Sequence, residues 1–251
     1  MDFYKFSKPE RAQLVSEMKE TLLHEIKSGN FRATFQFFCD GDTYIRKSAY
    51  LSIGRIYFDH KPLKKKIARL LFRLVKETDF KIRQTAINAA GEIGKKDFEV
   101  VVKLFDTGLL DAHHVVRNAV IGSVKKMGEV NPRPVLKWAK NYLHHPDKEI
   151  RREICHGIEL RGRKHPQDIL PLLKELQFDK TSRVRNILVH VLGQIAYKKG
   201  CLEKVIAHLK TWQNKELVAD AINEIMDVHE RYKDFAFYTQ RQAKRYVKLR
   251  R

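Results

Sequence analysis

A repeated arginine constrains this sequence more than any other feature. It follows a β-branched residue at successive intervals of 37, 34, 34 and 34 residues. After each arginine, the residues three, four and seven positions later are apolar, which is the spacing of one face of an α-helix. An internal period of this length predicts stacked helical units. We call these arginines the arginine ladder: Arg46, Arg83, Arg117, Arg151 and Arg185.

Each period predicts an outer helix, a turn containing an aspartate, and an inner helix that carries the ladder arginine. Before the first pair, Ser7 and Glu10 have the spacing of a capping box for a helix that Gly29 ends. The predicted helix pairs are 31–38 with the helix of Arg46, 62–76 with 80–93, 98–109 with 114–126, 133–143 with 149–160, 166–176 with 182–197, and 202–212 with 215–231.

Units of 34 to 37 residues, in which Val-Arg or Ile-Arg opens the second helix, resemble HEAT repeats. The resemblance implies an all-α, right-handed HEAT-like α-solenoid of about six helix pairs with a concave basic face. We predict that it spans residues 1–232 and that a basic C-terminal helix or tail follows over 233–251. Val218 stands where a sixth arginine would fall, as is typical of a terminal repeat.

The charge balance indicates the class of partner. The 251 residues include 50 Lys and Arg against 30 Asp and Glu, a net charge of +20. Such an excess favours a polyanion, with nucleic acid first and a membrane surface second; a solvated basic surface is the alternative. No apolar stretch reaches about 18 residues, and the first 20 residues have no apolar core of a signal peptide. We therefore expect a cytoplasmic protein.

Cofactor chemistry has little support in the sequence. The three cysteines are widely spaced, and no CxxC pair, phosphate-binding loop or nucleophile elbow occurs. His113-His114 and His144-His145 lie near turns with no ligand set converging on them. We predict no metal and no cofactor.

The ladder arginines are expected to hold the repeats together. An arginine fork suits bidentate bonds to a turn carboxylate or to turn carbonyls, and we expect these partners in the neighbouring repeat. Three turn aspartates (Asp42, Asp79 and Asp147) lie four residues before a ladder arginine, and Asp111 and Asp179 lie six before one.

Function is expected one and five residues after each ladder arginine, on a helix face that points away from the core. None of these residues is acidic, and amides, imidazoles and cations without carboxylates suit a phosphate backbone. A solvated helix surface is the alternative. The candidate nucleic-acid contacts on this face are Lys47, Gln84, Asn88, Asn118, Arg152, His156, Asn186 and His190. Three further cations, Arg161, Arg163 and Lys164, are expected to grip the backbone.

A closer resemblance covers about a third of the chain. It runs from Trp138 through Ile-Arg151-Arg152-Glu-Ile-Cys-His156-Gly, the leucines of 169–176, and Asp179 with Ser-Arg-Val-Arg185-Asn, to Trp212. This stretch resembles the HEAT-like DNA alkylation repair proteins, which are bacterial alkylpurine DNA glycosylases. The resemblance implies duplex DNA in the concave groove and removal of N3- or N7-alkylated bases.

In that family a glutamate occupies the position of His156, and a tryptophan lies near the position of Arg161. Neutral histidine supplies no fixed anion for an oxocarbenium-like transition state. Three functions therefore stay open: duplex-DNA binding without catalysis, excision of alkylated purines, and a scaffold for an acidic protein segment.

Overall fold

The computed structural model describes residues 3–249, and all regular secondary structure in this range is helical. The predicted all-α fold class is confirmed. The chain divides into two compact units, which we call unit 1 (Met1–Asn131) and unit 2 (Pro132–Arg251). Within residues 3–249 no helix is both long and apolar enough to cross a membrane.

Unit 1 contains one leading helix and three helix pairs. The leading helix α1 (Lys8–Ser28) begins with the predicted capping box, in which the Ser7 amide donates to Glu10 Oε2 over 2.7 Å. It ends at Gly29, whose φ of 87° is the left-handed conformation that glycine tolerates best. The pairs are α2 (Arg32–Cys39) with α3 (Thr43–Asp59), α4 (Lys64–Leu74) with α5 (Phe80–Gly94), and α6 (Phe98–Leu109) with α7 (His114–Val130).

Unit 2 also contains three pairs, so the predicted number of about six is confirmed. One inner helix differs from the prediction: the expected helix over 149–160 is interrupted at Ile158. The elements are α8 (Pro132–Lys140) with α9 (Lys148–Gly157) and α10 (Glu159–Gly162), α11 (Pro166–Lys174) with α12 (Ser182–Ala196), α13 (Leu202–Leu209) with α14 (Lys215–Arg231), and α15 (Gln240–Lys248).

The apolar positions of the repeat form the core of each unit. In α5, the predicted core residues Ala86, Ile87 and Ala90 are all fully buried. Neighbouring inner helices approach closely, since a Cβ added at Gly91 would lie 2.5 Å from Oγ of Ser123. Burial of this amphipathic stripe, rather than helix propensity, supplies most of the stability of such helices.

The basic C-terminal segment belongs to unit 2 and packs on helix α14. Helix α15 starts with a second capping box, formed by Thr239 and Gln242. It buries Ala243 and Val247 and contacts α14. The predicted boundary at residue 232 thus separates two helices of one compact unit. The last two arginines of the segment, Arg250 and Arg251, lie outside the described residues.

Candidate nucleic-acid interface

The ladder arginines bond to the turn that precedes their own inner helix. In Arg83, Nη1 donates to the carbonyls of Glu77 and Thr78, each over 2.8 Å. Arg46, Arg117 and Arg151 repeat this pair of bonds to the residues five and six positions earlier. Arg185 makes the bond to the carbonyl six positions earlier. Each arginine therefore bonds to carbonyls in the turn of its own repeat, whereas the expectation placed the carbonyl partners in the neighbouring repeat.

Two ladder arginines also reach the following repeat of the same unit. Arg83 donates to Asp111 over 2.7 and 3.0 Å, and Arg151 donates to Asp179 over 2.6 and 3.2 Å. Burial raises the pKa of Asp179, but hydrogen bonds from Arg151 and Thr181 outweigh that effect and lower the pKa to about 2. These bidentate bonds join successive repeats.

The turn aspartates have two different roles, and the role follows the number of residues between the aspartate and the next ladder arginine. The three that lie four residues before an arginine are helix N-caps, accepting from backbone amides over 2.7 to 2.8 Å: Asp42, Asp79 and Asp147. The two that lie six residues before an arginine, Asp111 and Asp179, accept from the arginine of the preceding repeat.

The predicted contact face is accessible in both units. Lys47, Asn118 and Asn186 are exposed; the half-buried members are Gln84, Asn88, Arg152, His156 and His190. In unit 1 the structure brings Lys47, Gln84 and Asn88 together around a cleft of about 300 Å³.

The expectation that this face lacks carboxylates is wrong in unit 2. Nε of Arg152 lies 2.9 Å from Glu149, and Nε2 of His156 lies 3.2 Å from Glu159. The prediction considered only the residues one and five positions after each ladder arginine. Glu149 and Glu159 lie two before and eight after Arg151, so it did not include them. The face in unit 2 is a mixed-charge surface.

Two of the three predicted backbone-gripping cations are held in ion pairs. Arg161 contacts Asp168 over 2.6 to 2.7 Å. Arg163 contacts Glu159 and donates to Oε1 of Gln194 over 2.7 Å. Lys164 is exposed.

Sequence reasoning missed a recurring pair of basic residues near the C-terminal ends of four inner helices. In every pair the first residue is half-buried and the second is exposed. We call the four exposed ones the terminal lysines: Lys96 and Lys126 in unit 1, Lys164 and Lys199 in unit 2. The signal was present in the sequence as Lys95-Lys96, Lys125-Lys126, Arg163-Lys164 and Lys198-Lys199.

Three of the four terminal lysines carry a charge that no carboxylate of the described residues pairs with. Within residues 3–249, Lys96, Lys126 and Lys199 form no ion pair with a carboxylate. The ammonium of Lys96 lies 5.3 Å from the ring centre of Phe58, and that of Lys199 lies 5.7 Å from that of Phe237. An aromatic ring attracts the ammonium group of a nearby lysine but does not cancel its positive charge.

Comparisons with known proteins add structural neighbours. No family model and no curated protein match the sequence. An archaeal HEAT-like repeats protein from Thermococcus onnurineus NA1 is 17% identical, with 80% of this chain and 92% of that chain covered and a TM-score of 0.41. The Escherichia coli protein YibA is 18% identical, with 85% and 76% covered and a TM-score of 0.45.

Computationally designed armadillo repeat proteins for modular peptide recognition are 14% identical, with 83% of this chain and 98% of that chain covered and a TM-score of 0.34. The fold rests on the geometry of the chain itself, in which helix pairs recur with the period of the arginine ladder. The protein is built of HEAT-like helical repeats.

Proposed function

We propose that this protein binds the phosphate backbone of nucleic acid, duplex DNA first, through the terminal lysines of unit 1 and those of unit 2. The recurrence of an exposed lysine near the end of four inner helices carries the proposal. Phosphates recur along a nucleic-acid strand, and Lys and Arg supply most backbone contacts. The exposed amides Asn118 and Asn186 would add hydrogen bonds to the same backbone.

The lysines also have a structural explanation. A cation near a helix C-terminus interacts favourably with the helix dipole, typically by about 0.3–1 kcal/mol. That explanation accounts for the half-buried residue of each pair as well as for the exposed one. Binding to a polyanion accounts in addition for a net charge of +20.

The proposal does not require catalysis. The carboxylate that pairs with His156 belongs to Glu159, which is 1% exposed and bonded to Arg163. A buried, paired carboxylate is poorly placed to contact a sugar in a groove. Glycosylase activity therefore has less support than binding.

Affinity over a salt series tests the proposal. We expect binding of a labelled DNA duplex at about 50 mM salt and a linear fall of log K with log salt, with a slope near −0.9 for each phosphate contacted. Four terminal lysines give an expected slope of about −3 to −4. Fluorescence anisotropy measures both quantities.

Polyglutamate and single-stranded DNA are the comparison ligands. Absence of duplex binding at low salt, or a slope near zero, contradicts the proposal. Equal affinity for polyglutamate would favour a scaffold that binds acidic protein segments.

A further inference from the structure

Three side chains that commonly bind transition metals meet at the break between α9 and α10. One ligand atom from each of His156, Glu159 and His190 lies within 4.8 Å of the other two. Nε2 of His156 is 3.2 Å from Oε2 of Glu159, and the two imidazole rings stand edge to face with centres 6.2 Å apart. Two imidazoles and one carboxylate form a common zinc-binding set.

The third ligand, Glu159, is the first residue after a break in the inner helix. The inner helices α3, α5, α7, α12 and α14 run unbroken for 15 to 17 residues, whereas α9 stops at Gly157 and α10 starts at Glu159. Glu159 lies eight residues after its ladder arginine, where three other repeats have glycine: Gly54, Gly91 and Gly193. This repeat therefore places a carboxylate where those repeats have no side chain.

The carboxylate is fixed in position. Glu159 is 1% exposed, and its Oε1 accepts from Nη2 of Arg163. The same nitrogen of Arg163 donates to Oε1 of Gln194 over 2.7 Å. Arg163 thus holds one oxygen of Glu159 while the other, Oε2, points towards His156.

A second carboxylate lies behind His190. Oε1 of Glu224 is 3.8 Å from Nδ1 of His190 and 3.4 Å from Nη1 of Arg231. A metal-bound histidine usually donates its other ring nitrogen to such an outer carboxylate, which orients the ring. Glu224 stands where it can fill that role for His190.

We infer that His156, Glu159 and His190 bind one divalent transition-metal ion of the zinc class, with a fourth position open to water or an anion. The donor set of two nitrogens and one oxygen favours zinc over magnesium or calcium, which prefer oxygen ligands. This inference does not depend on nucleic-acid binding.

The site needs only a small adjustment to close. Metal–ligand bonds of about 2.0–2.1 Å require ligand atoms roughly 3.4 Å apart. The ligand atoms lie within 4.8 Å of one another, so the widest separation must shrink by at most about 1.4 Å. The side chains of His156 and His190 are 30% and 39% exposed, which gives both rings room to turn. The same exposure gives an ion a route to the site.

The inference differs from the expectation of no metal site. His156 and His190 occupy the same position in consecutive repeats, five residues after Arg151 and Arg185. This shared position predicts that the two histidines are neighbours. The third ligand, Glu159, follows the helix break at Ile158, which the repeat does not predict.

Zinc titration of the full chain, without nucleic acid, tests the inference. We expect isothermal titration calorimetry to give one zinc ion per chain, and cobalt substitution to give the intense visible absorption of a four-coordinate site. His156→Ala and His190→Ala should each weaken zinc binding by more than about tenfold, and Glu224→Gln by about tenfold as an outer partner.

His144→Ala is the matched control, because His144 also faces a carboxylate, Glu175, over 3.0 Å on an exposed surface. It should leave zinc affinity unchanged, and circular dichroism should show that all variants remain folded. The inference is overturned if the folded wild type binds no stoichiometric zinc, or if His144→Ala weakens binding as much as His190→Ala does.

Discussion

Replacing Arg151 with methionine is expected to destabilise unit 2 by about 3–5 kcal/mol, because the change leaves a buried carboxylate without its cation. The side chains of Arg151 and Asp179 are 14% and 6% exposed, and two hydrogen bonds join them. Both tryptophans, Trp138 and Trp212, belong to unit 2. Tryptophan fluorescence during urea denaturation therefore reports the unit that contains the change.

Lys140→Met is the matched control for this experiment. Lys140 pairs with Glu175 in the same unit, over 3.3 Å, but its side chain is 60% exposed. Exposed pairs contribute at most about 1 kcal/mol, so the control should be close to wild type. Adding Asp179→Asn to Arg151→Met should restore part of the lost stability. Equal effects of Arg151→Met and Lys140→Met would contradict the role of the ladder in joining repeats.

The stabilisation from Asp179 should depend on pH. Its pKa is lowered to about 2 in the folded chain, against an ordinary value near 3.8. A lowered carboxyl pKa stabilises the fold above the unfolded pKa, and the stabilisation disappears as pH falls through the folded pKa. The stability difference between wild type and Asp179→Asn should thus shrink by about 2 kcal/mol between pH 5 and pH 2.

Replacing all four terminal lysines with alanine is expected to weaken duplex-DNA binding by about 100-fold near 100 mM salt. Each lost phosphate contact should also make the salt slope less negative by about 0.9, up to a total of about 3.6. Anisotropy over the same salt series measures both changes. The four side chains are exposed, so the variant should remain folded.

A control variant that loses the same number of positive charges shows whether affinity depends on where the lysines lie or only on net charge. It replaces four exposed cations on or next to outer helix α4 with alanine: Lys61, Lys65, Lys66 and Arg69. We expect only a few-fold loss of affinity and little change in slope. Equal losses in the two variants would show that binding follows net charge rather than the terminal lysines.

The sequence repeat predicted the bounds of some helices well. Helices α6 and α14 match their predicted ranges, 98–109 and 215–231, to the residue. The break at Ile158 was not predictable from its neighbour Gly157, because Gly91 and Gly193 lie within continuous inner helices.

The candidate site was harder to predict because its partners are distant in sequence. The period correctly placed His156 and His190 on accessible faces, but Glu224 approaches His190 from another repeat. The ion pair of Arg161 with Asp168 and the hydrogen bond of Arg163 to Gln194 likewise depend on how side chains reach across a turn or between helices. A one-dimensional pattern gives the direction of a side chain and not its partner.

Lysine acetylation in the presence and absence of duplex DNA, mapped by mass spectrometry, tests the central claim most directly. The proposal predicts that DNA protects Lys96, Lys126, Lys164 and Lys199 from acetylation, while Lys65 and Lys66 on α4 react equally with and without DNA. Protection of the α4 lysines together with unchanged reactivity of the terminal lysines would contradict it.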